Sequence, residues 1–352
     1  MQSIDCKRHL RRDGAAQPRA LASFRCSRRR FDRARARQYL TGVRTTRLVI
    51  VTGKGGVGKT TIAAGLARAA AERGERVLLV EVATPSRLGS ILEGADLGPT
   101  PRAVAPRVSA VALDEQRALE ALVDRLMPLR LLSRRLLSSE SFRTVAAAVP
   151  GILEAALLTQ LGAWLDGKEL GYGLGRDGRC DRIIVDAPAS GHTVPLLATP
   201  ETLGGIATMG PLGEALRKTG RWLRDPARTA VLVVAIPEDW AVAEAIELAR
   251  SLQGELGLPV ARPVLNGVFP KRFSRDEERA LHNAEAQASI DEALLRAGRY
   301  FLARREAATE QSRRLRSATG ERPVELPYLF STRMSWSDLE PIAEGLSPLL
   351  AG

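Results

Sequence analysis

The stretch that most limits what this chain can fold into is RLVIVTGKGGVGKTTIAAGLARAAAERG, residues 47–74. A β-branched apolar run leads into a glycine-rich turn, and an alanine-rich helical pattern follows and stops at Gly74. Within the turn, GKGGVGKT at 53–60 fits G-x-x-x-x-G-K-[ST], with Gly53, Gly58, Lys59 and Thr60 at the fixed positions. Gly53, Gly55, Gly56 and Gly58 let backbone N–H groups turn onto phosphate oxygens that a Cβ would hold off. Val57 and Thr61 complete the loop and the first helical turn, whose positive N-terminal end adds to the attraction. Lys59 is placed to bridge β- and γ-phosphates and the Thr60 hydroxyl to bind Mg²⁺. The plain alternative, a chance glycine-rich turn, does not explain the matching strand before it and helix after it.

The rest of the chain repeats this alternation. Short apolar runs at 76–82, 108–113, 182–186, 231–236 and 262–268, with a shorter one at 323–326, are separated by longer helical patterns. That reads as an α/β fold, a mostly parallel twisted sheet with helices on both faces. Helices are predicted at 61–73 and 238–256, and 275–317 is a long, heavily charged helical region expected on the surface. Two helical stretches, 114–172 and 200–228, are too long for simple crossovers. They flank the 182–186 strand and are expected to pack together as a helical subdomain inserted into a domain spanning 47–350.

Charge is informative through its location. The net charge is +12, but residues 1–46 hold 13 Lys and Arg against Asp5, Asp13 and Asp32, which leaves the other 306 residues at only +2. The body is nearly neutral, so nucleic acid is not the expected partner. The basic leader has no sustained hydrophobic period. It reads as a disordered polyanion-binding arm, a targeting peptide, or sequence upstream of the true start. The three cysteines, Cys6, Cys26 and Cys180, form no CxxC, which argues against a disulfide framework or a zinc site and fits a reducing cytosol.

The loop carries a second lysine, Lys54, five residues before Lys59. Its ammonium cannot easily fold back onto the loop's own phosphates, because the loop backbone lies between, but it can reach a nucleotide on a facing subunit. The bland reading is a solvated lysine. Downstream, RIIVDAPASGHTVPLL at 182–197 places Asp186 at the end of an apolar strand, where an acid holds Mg²⁺ through water or Thr60. Ser190, Gly191, His192 and Thr193 follow as a flexible segment suited to sensing a γ-phosphate.

Together these residues resemble the SIMIBI-class P-loop NTPases with a deviant Walker A motif, and within them the ArsA and guided-entry ATPases. The string after Asp186 resembles that family's D-x-A-P-T-G-H-T switch, VPGILEA at 149–155 its P-G-I-D-E-A motif, and PVLNGV at 263–268 the strand whose Asn recognises adenine. The resemblance implies an ATP- and Mg²⁺-dependent ATPase that dimerises over its nucleotides. Lys54 then acts in trans beside Lys59, Asn266 hydrogen-bonds the base, and Ser190–Thr193 couple phosphate loss to the helical subdomain. His192 is expected to hydrogen-bond within that switch rather than transfer a proton.

Departures from the pattern matter equally. Where the family has D-P-A, whose Asp positions the attacking water, this chain has VEVATPSRLGSIL, with Ala83 at the acid's place. Glu81 is the nearest carboxylate, with a catalytic and a structural reading both open. Cysteines for arsenite, the zinc CxxC and a methionine-rich groove have no counterparts, Met127 and Met209 standing alone in the helical stretches. The expected partner is a second copy or a paralogue, with a membrane protein, an anion carrier or another subunit as the client. The expected location is the cytoplasm, or the membrane periphery through such a partner. The competing readings are a ParA/MinD-like positioning ATPase and a weakly hydrolysing regulatory partner of a paralogue.

Overall fold

The computed structural model describes residues 43–82, 87–92, 94, 96–126, 139, 149–167, 180–205, 210–283, 292–331 and 333–351. Leader residues 1–42, Ala83, Met127, Met209 and most of 127–148 lie outside the described residues. Among the described residues one sheet contains β1 (Leu48–Gly53), β2 (Val77–Glu81), β3 (Arg102–Ala105), β4 (Val108–Ala112), β5 (Arg182–Asp186), β6 (Thr229–Ala235), β7 (Val264–Val268) and β8 (Val324–Pro327). Their order is β3-β4-β2-β5-β1-β6-β7-β8, and all pairs are parallel except β3 with β4.

The central strands are apolar on both faces because helices cover both. Along β1, Leu48 and Ile50 enter one core while Val49 and Val51 enter the other. The second core is covered by α1 (Lys59–Glu72), α2 (Leu88–Ile91) and α10 (Glu340–Leu350). Helices α1 and α10 approach closely because Gly65 has no side chain; a Cβ there would lie 2.4 Å from Ile342 Cγ2. The first core is covered by α3 (Glu115–Leu126), α4 (Ile152–Leu165), α5 (Ser190–Thr202), α6 (Gly210–Arg224), α7 (Asp239–Gly254) and α9 (Glu292–Thr319), with α8 (Arg275–Asn283) outside it.

Helix α4 is apolar nearly all round and correspondingly buried. It packs against α6 through Gly162, where a Cβ would sit 3.1 Å from the Trp222 Nε1. Strand β3, a short, partly exposed antiparallel edge strand flanked by Pro101 and Pro106, has no counterpart among the strands expected from sequence.

Residues 43–46 belong to the packed body. Val43 is fully buried and its N–H donates to the Leu349 carbonyl at 3.2 Å. Arg182, 4% exposed, clamps this segment: its guanidinium donates to Val43 O (2.8 Å) and Thr46 O (2.5 Å) and pairs with Glu75 at 2.6 Å. Removing one partner of a buried pair strands the other, at about 3–5 kcal/mol. Arg182→Ala should therefore lower the thermal midpoint markedly, and an unchanged melting curve would show that the clamp contributes nothing.

Candidate functional site

The loop between β1 and α1 lies where parallel strands end, the usual place for ligands in such sheets. Its glycines serve two different purposes. At Gly53 (φ 153°) a Cβ would stand 2.3 Å from Val234 O of the neighbouring strand, and at Gly58 (φ 88°) 2.4 Å from Asn266 Nδ2. These two are fixed by the protein's own packing. Gly55 and Gly56 face open space, with nothing within 4 Å of a Cβ position, so their backbone is accessible to a ligand.

The Lys59 ammonium, partly buried, spans the loop and donates to the Lys54 carbonyl at 3.0 Å. Burial lowers its pKa, and the Asp186 carboxylate partly offsets that. Thr60 Oγ1 donates to Asp186 Oδ2 at 2.6 Å, joining the start of α1 to the end of β5. Asp186 is 6% exposed, and among the described residues its Oδ1 has no hydrogen-bond partner. Burial pushes its pKa up to about 6, and the Glu81 carboxylate adjoining it on β2 adds to that rise.

A hydroxyl beside a carboxylate with an unpaired oxygen is a hard-oxygen donor set that suits Mg²⁺. That ion commonly binds through one or two carboxylates plus substrate phosphates rather than an all-protein cage. No group of three His, Cys, Asp or Glu able to hold a metal occurs among the described residues.

Lys54 points the other way. Its Nζ pairs with Glu244 Oε2 at 3.4 Å and lies 4.7 Å from the centre of the Trp240 ring, both on α7. The other Glu244 oxygen accepts the Ser190 hydroxyl, so one carboxylate ties the loop to the segment after β5. That segment differs from the sequence expectation: Ser190, Gly191, His192 and Thr193 form the first turn of α5 rather than an irregular loop. The turn is held by Thr193 Oγ1, which donates to Pro188 O at 2.8 Å and accepts from the buried Thr52 Oγ1 at 2.9 Å. His192 lies exposed, within electrostatic range of Glu115 at the start of α3.

Asn266 Nδ2 donates to Val57 O at 2.9 Å, placing the amide against the loop. It helps line a cleft of about 320 Å³ with Gly58, Thr61, Pro237, Arg304 and Tyr328 among its walls. The structure thus brings Gly53–Thr61, Asp186 and Asn266 together toward the C-terminal ends of the parallel strands.

Sequence reasoning missed the α7 residues Glu244 and Trp240, because nothing in an amphipathic helix marks which polar residue meets a distant loop. Glu81 is resolved toward its structural reading. Fully buried, it accepts the N–H groups of Arg87 (2.6 Å) and Leu88 (3.1 Å) and so caps α2.

Strand, glycine loop, helix, Thr60–Asp186 pair and flanking cleft define the class: an α/β P-loop nucleoside triphosphatase fold. Residues 46–214 match the family model described as anion-transporting ATPase. The chain is 31% identical over 271 residues to a putative arsenical pump-driving ATPase of Halobacterium salinarum, covering 72% of this chain and 41% of that protein. It is 30% identical over 237 residues to an arsenical pump-driving ATPase of Escherichia coli, covering 62% and 39%. With ATPase BagA of Mycobacterium tuberculosis it shares 30% identity over 271 residues, 74% of this chain and 75% of that protein. The chain belongs to the ArsA family of anion-transporting-type ATPases. It spans only about two fifths of the length of the arsenical pump-driving relatives.

Proposed function

We propose that the protein is an ATP-hydrolysing switch that works as a dimer and couples nucleotide state to a partner. The observation that carries this reading is the convergence of Lys59, Thr60 and Asp186 behind an accessible glycine loop, with a cleft of base-sized volume beside it. Backbone N–H groups of residues 55–61 and the Lys59 ammonium would hold the phosphates. Thr60 and Asp186 would hold Mg²⁺, which when bound neutralises charge on the β- and γ-oxygens. Asn266 would offer its Oδ1 to the amine of adenine while its Nδ2 stays on Val57 O. The link Lys54–Glu244–Ser190 would transmit occupancy of the loop to α5, and His192 would carry it toward α3 in the helical subdomain. The partner would be a second copy or a paralogue, with a membrane protein or anion carrier as client. Among the described residues no helix is long and apolar enough to cross a membrane.

A second reading, a slow hydrolyser that regulates a paralogue, is favoured by one observation. Glu81 Oε1 accepts two backbone N–H groups, which commits this carboxylate to capping α2 rather than to standing in for the acid missing at Ala83. Single-turnover hydrolysis of Mg·ATP by the purified chain, alongside the mass of the complex with a non-hydrolysable analogue, tests both. Measurable turnover and a doubled mass support the first reading. Tight ATP binding without turnover supports the second, and no ATP binding removes both.

A further inference from the structure

One cation near the loop has no task in the site as described so far. Arg87 follows the 83–86 segment and stands at the head of α2. Its backbone is pinned, because the buried Glu81 carboxylate accepts its N–H at 2.6 Å and that of Leu88 at 3.1 Å. Glu81 is itself directly in register with Asp186 on the adjacent strand, and Asp186 holds Thr60 at 2.6 Å. These links therefore place the Arg87 backbone at the same C-terminal strand ends as the loop's Lys59 and Thr60. The Arg87 side chain is exposed, and among the described residues its guanidinium has no hydrogen bond or ion pair. Its charge is nevertheless felt at the site's centre, lowering the pKa of both Asp186 and Lys59.

A second cation within electrostatic range of Lys59 is unfavourable for the protein alone and becomes favourable when an anion lies between them. A guanidinium suits that role, presenting several donors in a planar fork to phosphoryl oxygens while never losing its proton. We propose that Arg87 is a catalytic residue acting in cis on the γ-phosphoryl group, opposite Lys59. This rests on the ATP-hydrolysis reading above. In the step it assists, a water oxygen bonds to the γ-phosphorus as the bond to the β–γ bridging oxygen breaks. The bond's electron pair stays on ADP, and the water's protons go to phosphate and solvent. Arg87 exchanges no proton; it stabilises charge on the equatorial oxygens.

The test compares the parent with Arg87→Ala and Arg87→Lys in single-turnover hydrolysis of Mg·ATP, with ADP affinity and trapping of ADP by aluminium fluoride measured in parallel. Loss of one such donor should slow Arg87→Ala by roughly 10²-fold. Its ADP affinity should stay within about threefold of the parent, with aluminium fluoride trapping weakened in step with the rate. Arg87→Lys should recover only part of the loss, and added guanidinium chloride should accelerate Arg87→Ala but not the parent. Turnover of Arg87→Ala within threefold of the parent overturns the proposal, as does a loss of ADP affinity as large as the loss of rate. A parent that binds ATP without hydrolysing it instead removes the reading on which the proposal stands.

Discussion

Lys54→Ala should lose ATP turnover by about 10³-fold or more while binding ATP as the parent does. Two physical accounts of this lysine differ enough in magnitude to be separated. In the structure it makes an ion pair with Glu244, both side chains about one third exposed (34% and 32%), and lies against Trp240. If that is its whole role, a partly exposed pair is worth some 0.2–1 kcal/mol, a change of at most about fivefold in any equilibrium. A cation delivered to a developing γ-phosphoryl charge by a facing subunit is instead worth on the order of 10³–10⁵ in rate. Trp240, whose ring Lys54 overlies, is itself 71% exposed.

Complementation makes the trans role explicit. Lys54→Ala mixed with Asp186→Asn should recover activity that neither has alone, because mixed dimers contain one site with intact Asp186 facing an intact Lys54. With random assortment the recovery approaches about a quarter of the parent's sites. No recovery, together with a rate loss under tenfold, would return Lys54 to the role of a surface ion pair.

How much of this was legible in the sequence depended on the range of the interaction. The loop and its helix are local, so their pattern of glycines, lysines and apolar residues was readable directly. The parallel strands were readable because burial on both faces makes them continuously apolar, as in LVIVTG and TAVLVVA. Asp186 was recognisable from its place at the end of such a strand. Strand β3 was not, since an exposed four-residue edge needs no apolar signature. Pairings across the fold also escaped: Glu244 with Lys54 and Ser190, and Arg182 with Glu75 and the Val43 carbonyl, join residues separated by 54 to 190 positions with no shared local pattern. The sequence reads residues 190–193 as a flexible segment, yet they form the first turn of α5, although Gly191 and Pro195 are poor helix residues. Tertiary contacts of Thr193 with Thr52 and Pro188 outweigh that local preference.

Asp186→Asn should move stability and activity in opposite directions. The carboxylate is buried and its pKa is raised to about 6 from the 3.8 of a free Asp side chain. Folding therefore favours the protonated form, and the folded chain is most favoured relative to the unfolded below about pH 4. That advantage is lost as pH rises to about 6 and stays lost above it. At pH 7 the ionised, metal-free carboxylate thus destabilises the fold by about 2–3 kcal/mol. Asparagine keeps the acceptor for Thr60 Oγ1 and removes the charge. Without metal, the variant should melt above the parent at pH 7, and the gap should close by about pH 4.

With Mg·ATP the order reverses, because the lost anionic donor was worth several kcal/mol of charge stabilisation through the metal, or roughly 10²–10³ in turnover. The parent should gain thermal stability on adding Mg²⁺ with ADP, and the variant should gain much less. Paired melting curves at pH 4 and pH 7, with and without Mg·ADP, read all of this in one series. A variant that melts below the parent without metal at pH 7 would mean that the Asp186 charge stabilises the nucleotide-free fold. A variant that responds to Mg·ADP as the parent does would place the metal elsewhere. The combination of a metal-free gain and a metal-dependent loss is what a buried acid held ready for a cation requires, since the same unpaired Oδ1 that weakens the fold is the lone pair the ion would take.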